Sequence, residues 1–264
     1  YRARRQRQMC IRDSVIPAAG KGSRFANEGW KNPKPFININ GKLMIELVIE
    51  NLDTPKNNKI ILLRNEHVKN IGKNSILNES NLDIISIDKV TEGTACTVLK
   101  AREHIDNNSP LLIANSDQIV DFNVNEFIEY LFENDLDGLI LVFKDPYKSK
   151  KWSFVKLDAS GYVTEVAEKI PISDIATVGI YLFRKGSDFC NSALDMIVNN
   201  ERVNNEFYTC PVYNYMIKSG AKIGIFEIPY ESMHGVGTPE DLRNFLKLKG
   251  YKPSIDDPEN FNLS

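Results

Sequence analysis

The sequence predicts an α/β fold: one domain with a mostly parallel central sheet, helices on both faces and a β-rich half set in late. Two observations carry this. Over residues 15–143, short apolar runs alternate with stretches of helical apolar spacing, the rhythm of strand–helix–strand units. After Lys144 the rhythm changes to strands with little helix between them, until helical spacing returns near Ser187.

The elements follow in order. Residues 15–19 (VIPAA) read as a buried strand, and residues 43–52 (LMIELVIENL) carry helical apolar spacing. Residues 59–63 (KIILL) form a strand, 66–77 a helix, 82–87 (LDIISI) a strand and 94–105 a helix. The strand 111–115 (LLIAN) runs into Ser116-Asp117, then come a helix over 123–134 and a strand over 138–143 (GLILVF). In the β-rich half, 153–157, 163–167 and 177–183 read as strands, with Ser160-Gly161 as the turn between the first two. Helices over 187–198 and 211–219 and a strand over 222–228 follow. Thr238-Pro239-Glu240-Asp241 opens the last helix with an N-cap, a proline at the first helical position and acids in the first turn.

Bulk properties narrow the function. The chain has 264 residues, 42% of them hydrophobic, enough for one large domain or two small ones with a sizeable core. A net charge of −2 supplies no global field for nucleic acid. No apolar run approaches the ~20 residues of a membrane helix, so membrane insertion is not expected. Four cysteines lie far apart with no CxxC pair, which argues against zinc and against a disulfide framework and for a reduced, cytoplasmic protein. The first 14 residues (YRARRQRQMCIRDS) hold five arginines and no lysine, unlike the rest of the chain. They read as a leader, foreign to the fold or disordered, with a basic binding tail as the alternative. The domain is expected over 15–250, with a loose polar, proline-bearing tail over 251–264.

The most informative stretch is 15–36, VIPAAGKGSRFANEGWKNPKPF. A buried strand ends in a turn with two glycines, Gly20 and Gly22, followed by Arg24 and later Lys34-Pro35. Glycine lets backbone approach a ligand closely, consecutive N–H groups make a concavity for anions, and ligands of open α/β sheets bind beyond the carboxyl ends of strands. The stretch therefore reads as a phosphate cradle, with an ordinary surface loop as the alternative. It is neither a Walker A loop, since Gly22 follows Lys21, nor a dinucleotide fingerprint, since position 25 is Phe.

AAGKGSRF, then Lys34-Pro35, then GKLMIE resemble the signature loop of nucleotidylyltransferases acting on sugar phosphates. GTACT (93–97), LLIANSDQIV, FVKLDASGYVTEVAEK, TVGIYLF and GTPEDL resemble later blocks of that family in the same order, so the likeness covers roughly residues 15–250. It is nearest to a capsule-biosynthesis branch also labelled glycosyltransferase family 2. The resemblance implies a Rossmann-like three-layer sandwich of the GT-A type, with a mostly parallel mixed central sheet and a β-rich acceptor-binding half. It implies transfer of an NMP group from an NTP to a sugar phosphate or related phosphomonoester, with release of pyrophosphate. Ala19, Gly20, Gly22, Ser23, Gly93 and Thr94 would bind the nucleotide; Glu168, Lys169 and Gly179 the acceptor. Arg24, Lys34 and Asp117 would be catalytic, Asp117 also holding Mg²⁺.

Each assignment has a plainer counterpart: a turn aspartate for Asp117, a helix-start glycine for Gly93, a strand-end ion pair for Glu168-Lys169. Two departures stand out. Where the family often has a second metal-binding Asp before its Gly-Thr-Pro-Glu block, this chain has Gly235, beside His234. Ser153, preceded by Trp152, stands where thymidylyltransferases have Gly, which points to an acceptor other than plain glucose-1-phosphate. Two rivals remain: a metal-dependent glycosyltransferase, which commonly carries an Asp-x-Asp pair where this chain has Asn115-Ser116-Asp117, and a non-catalytic nucleotide- or sugar-binding module. Homo-oligomerisation is left open, since an edge strand or the last helix could pair.

Overall fold

The computed structural model describes residues 13–52, 54, 57–68, 77 and 82–262. Residues 1–12 of the leader expected over 1–14 and most of the helix expected over 66–77 lie outside the described residues.

Thirteen strands are described: β1 (Asp13–Ala18), β2 (Asn38–Ile39), β3 (Lys42–Leu43), β4 (Asn58–Arg64), β5 (Leu82–Ile87), β6 (Leu111–Ala114), β7 (Gln118–Val120), β8 (Gly138–Lys144), β9 (Ser153–Leu157), β10 (Val163–Glu168), β11 (Ile175–Phe183), β12 (Ile223–Glu227) and β13 (Met233–Gly235). The α-helices are α1 (Ser23–Asn27), α2 (Met44–Asn51), α3 (Asn65–Val68), α4 (Thr94–Val98), α5 (Arg102–Ile105), α6 (Val124–Glu133), α7 (Gly186–Val198), α8 (Val212–Lys218) and α9 (Pro239–Leu248). β1 starts at Asp13, whose partner across the sheet is Asn58, so the strand reaches two residues into the expected leader.

A nine-stranded mixed sheet has the order β10-β9-β11-β6-β1-β4-β5, with β8 beside β11 and β12 beside β8. The β6-β1-β4-β5 part is parallel, with Val15 level with both Ile60 and Ile113. β11 runs antiparallel to β6, β8 and β9 and joins this part to the β-rich half.

Because strand side chains alternate, each strand feeds two cores. Ile16, Ile61, Leu63, Leu112, Leu139 and Leu141 pack with α2 and α6 on one face. Val15, Ile60, Leu62, Ile113, Ile140 and Val142 pack with α4, α7 and α8 on the other. This is the expected three-layer α/β sandwich. A smaller core of Phe25, Trp30, Ile37, Ile39, Ile119, Val236, Leu242 and Phe245 joins α1 to α9 at the end of the sheet where β1 and β6 finish.

The C-terminal segment differs from the loose tail expected of it. Ser254, Asp256 and Asp257 are buried. Asp256 accepts hydrogen bonds from the Asn38 N–H at 2.7 Å and the Asn32 amide at 2.9 Å, and Arg243 grips Asp257 through two N–H groups at 2.8 Å each. A polar sequence reads as solvated only while its partners, here 218 and more residues away for Asp256, are unknown.

Candidate active site

The carboxyl ends of β1, β6 and β10, the amino end of β9 and the middle of β11 border one cleft of about 710 Å³. The turn after β1 brings Ala19, Gly20, Gly22, Ser23 and Arg24 to its wall, and the turn before α4 brings Gly93 and Thr94. Glu168, Lys169 and Gly179 form another group on the wall, and Lys34 and Asp117 stand there too. All the residues given a catalytic or binding role by the resemblance thus line one cleft, and His234 does not.

Gly22 adopts φ 60°, and a Cβ on it would sit 3.2 Å from Lys34 Cβ, so the glycine turn and the lysine pack on each other. Gly93, at φ 124°, lies under the backbone of Phe207: a Cβ would stand 2.3 Å from its carbonyl oxygen. Lys34 Nζ meets Asp117 Oδ2 at 2.5 Å, both side chains part-exposed. A small two-stranded sheet of β7 and β13 brings the 233–238 segment to Asp117, whose carbonyl accepts from the Val236 N–H at 2.9 Å. The sequence reading contained neither of these short strands. Gly237 is held there for space, since a Cβ would lie 2.6 Å from Asp117 Oδ2.

Glu168 and Lys169 are set by contacts between β9 and β10 and the loops beside them. Glu168, at the end of β10, is buried and accepts a hydrogen bond from the Ser153 hydroxyl across the β9–β10 pair. Burial pushes its carboxyl up, with the Ser153 hydrogen bond and the Lys169 charge pulling the other way. Lys169 has left-handed backbone, φ 59°, and its N–H donates to the Trp152 carbonyl at 3.0 Å. Gly179, φ 91°, sits where the β8–β11 register shifts, and its carbonyl accepts from the Asn115 N–H at 2.9 Å. A Cβ there would stand 2.4 Å from the Asn115 amide and 2.7 Å from that of Gln118. Cys210 lines the cleft too, but burial and then the Glu168 charge push its thiol well up, so it is no nucleophile.

Gly235, in the place of the second metal-binding Asp, faces Trp152: a Cβ on it would come within 3.3 Å of the indole. His234 is not on the cleft wall; its Nε2 lies 3.1 Å from Asp121 Oδ2 and its ring packs on Phe245. Partial burial raises the Asp121 carboxyl, but hydrogen bonds from His234 and Lys249 outweigh it and hold the group below the usual range. Among the described residues, no three His, Cys, Asp or Glu side chains converge on a metal position. One carboxylate, Asp117, suits a divalent ion that arrives with substrate phosphates and keeps waters, rather than an all-protein cage.

Tyr208, Glu206 and Gln118 also line the cleft and were absent from the sequence reading.

Residues 13–220 match the profile of the family described as Nucleotidyl transferase. The chain belongs to that family. It is 27% identical over 181 residues to the bifunctional protein GlmU of Methanocaldococcus jannaschii, covering 66% of this chain and 40% of the relative. It is 26% identical over 175 residues to the mannose-1-phosphate guanylyltransferase catalytic subunit beta of Dictyostelium discoideum, covering 64% of this chain and 49% of that one. The chain thus spans about half or less of the length of the curated relatives it matches. Among solved structures, the nucleoside-diphosphate-sugar pyrophosphorylase from Vibrio cholerae RC9 superposes with a TM-score of 0.72 at 25% identity, covering 89% of this chain and 99% of that one. The inositol-1-phosphate CTP transferase from T. maritima shares the fold, with a TM-score of 0.66 at 13% identity over 92% and 98% of the two chains. No helix among the described residues is long and apolar enough to cross a membrane.

Proposed function

We propose that this chain is a sugar-phosphate-type nucleotidylyltransferase: it moves an NMP group from an NTP to a phosphomonoester and releases pyrophosphate. The observation that carries the reading is one cleft lined by a glycine-and-arginine turn, the Glu168-Lys169 pair and the Lys34–Asp117 pair. The names of the relatives, which refer to guanylyl transfer, pyrophosphorylase and CTP-dependent transfer, support it.

In this reading an oxygen of the acceptor phosphate bonds to the α-phosphorus while the bond from that phosphorus to the bridging oxygen breaks. Pyrophosphate leaves with the electron pair. Such a transition state gathers charge on the phosphoryl oxygens, so positioned cations and N–H groups do most of the work. The backbone of Gly20–Ser23 cradles the triphosphate, and the Arg24 fork grips its oxygens. Lys34 offers its ammonium to the phosphates that meet mid-cleft, and Asp117 holds that ammonium until they arrive. Gly93 and Thr94 give the base a flat backbone to lie on. Lys169 takes the acceptor phosphate and Glu168 a hydroxyl. A Mg²⁺ held by Asp117 and the phosphates would supply further positive charge to the leaving group. The Trp152–Ser153 rim favours an acceptor other than glucose-1-phosphate. A cytoplasmic role in surface or capsular polysaccharide assembly completes the reading.

The test is to incubate the protein with Mg²⁺, each NTP in turn and a panel of phosphomonoesters, and to record pyrophosphate. Release with one NTP and one acceptor, lost on Asp117→Ala, supports the assignment. Silence over the panel, or consumption of a nucleotide sugar without an NTP, overturns it.

A further inference from the structure

The segment 206–209 touches both the Gly93-Thr94 turn and Lys169, and its residues alternate in what they touch. Phe207 and Thr209 serve the nucleotide region. The Phe207 N–H donates to the Glu92 carbonyl at 2.7 Å, and its carbonyl accepts from the Ala95 N–H at 3.0 Å. The Thr209 N–H and hydroxyl each reach Thr94 Oγ1 at 3.1 Å. Glu206 and Tyr208 serve the acceptor region. Lys169 Nζ donates to the Tyr208 hydroxyl at 2.5 Å and lies 4.4 Å from the ring centroid, and the Tyr208 hydroxyl donates to the Glu206 carboxylate.

We propose that Tyr208, oriented by Glu206, is the positioning residue for the acceptor phosphate: it holds the Lys169 ammonium in place for that phosphate, and the 206–209 segment ties this place to the nucleotide region. The proposal rests on reading Lys169 as the acceptor-phosphate ligand. A lysine on a flexible stem loses conformational freedom when it binds, and fixing it beforehand removes that loss from the binding step. In Lys169 both ends are fixed: its backbone by the Trp152 carbonyl, its ammonium by Tyr208. The partner also has the right chemistry. With its proton directed to Glu206, the phenol oxygen presents lone pairs to the ammonium yet carries no charge, so the positive charge stays available to an anion. Burial, then the bond to Glu206, push the phenol up and keep it protonated at working pH.

Tyr208→Phe removes the hydroxyl and keeps the ring. We expect KM for the acceptor to rise about tenfold, as for loss of one hydrogen bond to a charged group, while KM for the NTP stays within about twofold. Glu206→Gln is expected to fall between the variant and the wild type. Equal rises in both KM values, or a fall in kcat alone, would overturn the assignment. A second measurement needs no turnover: inorganic phosphate titrated into the nucleotide-free protein by calorimetry, in a cycle of Tyr208→Phe and Lys169→Met. Tyr208→Phe should weaken phosphate binding in the parent and cost nothing more in the Lys169→Met background. Additive losses, or phosphate binding untouched by Lys169→Met, overturn the proposal. Should no NTP and acceptor support turnover, the assigned reaction falls, and the phosphate cycle still decides what Tyr208 does.

Discussion

The two regions proposed for nucleotide and acceptor are made of different material. The one proposed for the nucleotide is mostly backbone: Gly22 and Gly93 take positive φ, Gly22 packs tightly on Lys34, and Gly93 lies too near the Phe207 backbone for a side chain. The one proposed for the acceptor is mostly side chain, Gly179 apart: Glu168 against Ser153, Lys169 against Tyr208, Tyr208 against Glu206. A triphosphate is common to every NTP, and backbone N–H groups suit it whatever the base. Acceptors differ in shape and hydroxyls, and only side chains can be exchanged to follow them. The lysines mark the same contrast. Lys34 is held by a carboxylate, Lys169 by a neutral phenol.

The largest expected effects concern Asp117 and Arg24. Asp117→Asn keeps the shape but removes the charge that holds Lys34, and pyrophosphate release should fall roughly 10²–10³-fold, the range found when one preorganised electrostatic group is lost. Arg24→Ala should cost on the same order. Stability should barely change for Asp117→Asn, since part-exposed ion pairs contribute little. A variant that keeps a tenth of the parent's kcat would show that chemistry is not centred on the Lys34–Asp117 pair.

Gly93→Ala tests whether the regions are separate at all. The new methyl would collide with the Phe207 backbone, and φ 124° suits no L side chain, a strain of about 1–3 kcal/mol that should show in thermal melting. Phe207 must move, and Tyr208 with it. KM should therefore rise for NTP and acceptor together. Gly22→Ala, whose methyl meets only Lys34, should leave the acceptor KM within about twofold of the parent. Steady-state kinetics with each substrate varied in turn separates the two patterns.

The same contrast explains what was legible in the sequence. The glycine turn could be read because local constraints write themselves locally: Gly20, Gly22 and Arg24 fall within five residues, right after a buried strand. The three-layer sandwich was legible from the same kind of local rhythm. Asp117 could be read because it follows a strand, yet its tie to Lys34 spans 83 residues and carries no sequence signal. Tyr208 was invisible for that reason, reaching Lys169 across 39 residues. β7 and β13, three residues each, were too short for any period to show. Gly237 could have been found as the second glycine of a Gly-Val-Gly run, but its reason, the crowding at Asp117, is tertiary.

The C-terminal segment sharpens the comparison from a distance, because it braces the segment that bears Lys34 and touches no acceptor residue in the bonds described. Asp256→Ala would leave the Asn38 N–H and the Asn32 amide without their acceptor. Loss of hydrogen bonds to a buried charged group should lower unfolding free energy by about 2 kcal/mol in denaturant titration. The turnover rate should drop as Lys34 loses its footing, while KM for the acceptor holds. A variant with an altered acceptor KM and an unchanged rate would place the segment in the wrong region of the cleft.

The smallest expected effect concerns Glu168 and has a definite sign in pH. Its carboxyl titrates above the ordinary 4.5 because burial disfavours the charge more than Ser153 and Lys169 restore it. The folded protein thus holds the Glu168 proton more tightly than the unfolded chain does. Below about pH 4 both states are protonated and the group has no net effect; above the folded value, the cost of the buried charge is fully present. Stability from this group is therefore lost as pH rises between those limits. Glu168→Gln keeps an oxygen for the Ser153 hydroxyl and removes the charge. It should melt slightly above the parent near pH 7, melt level with it near pH 4, and lose acceptor affinity at both. A gain at pH 4 that vanishes at pH 7 would mean that Lys169 holds Glu168 ionised, and the acceptor region would then be an ion pair of the same kind as Lys34 and Asp117.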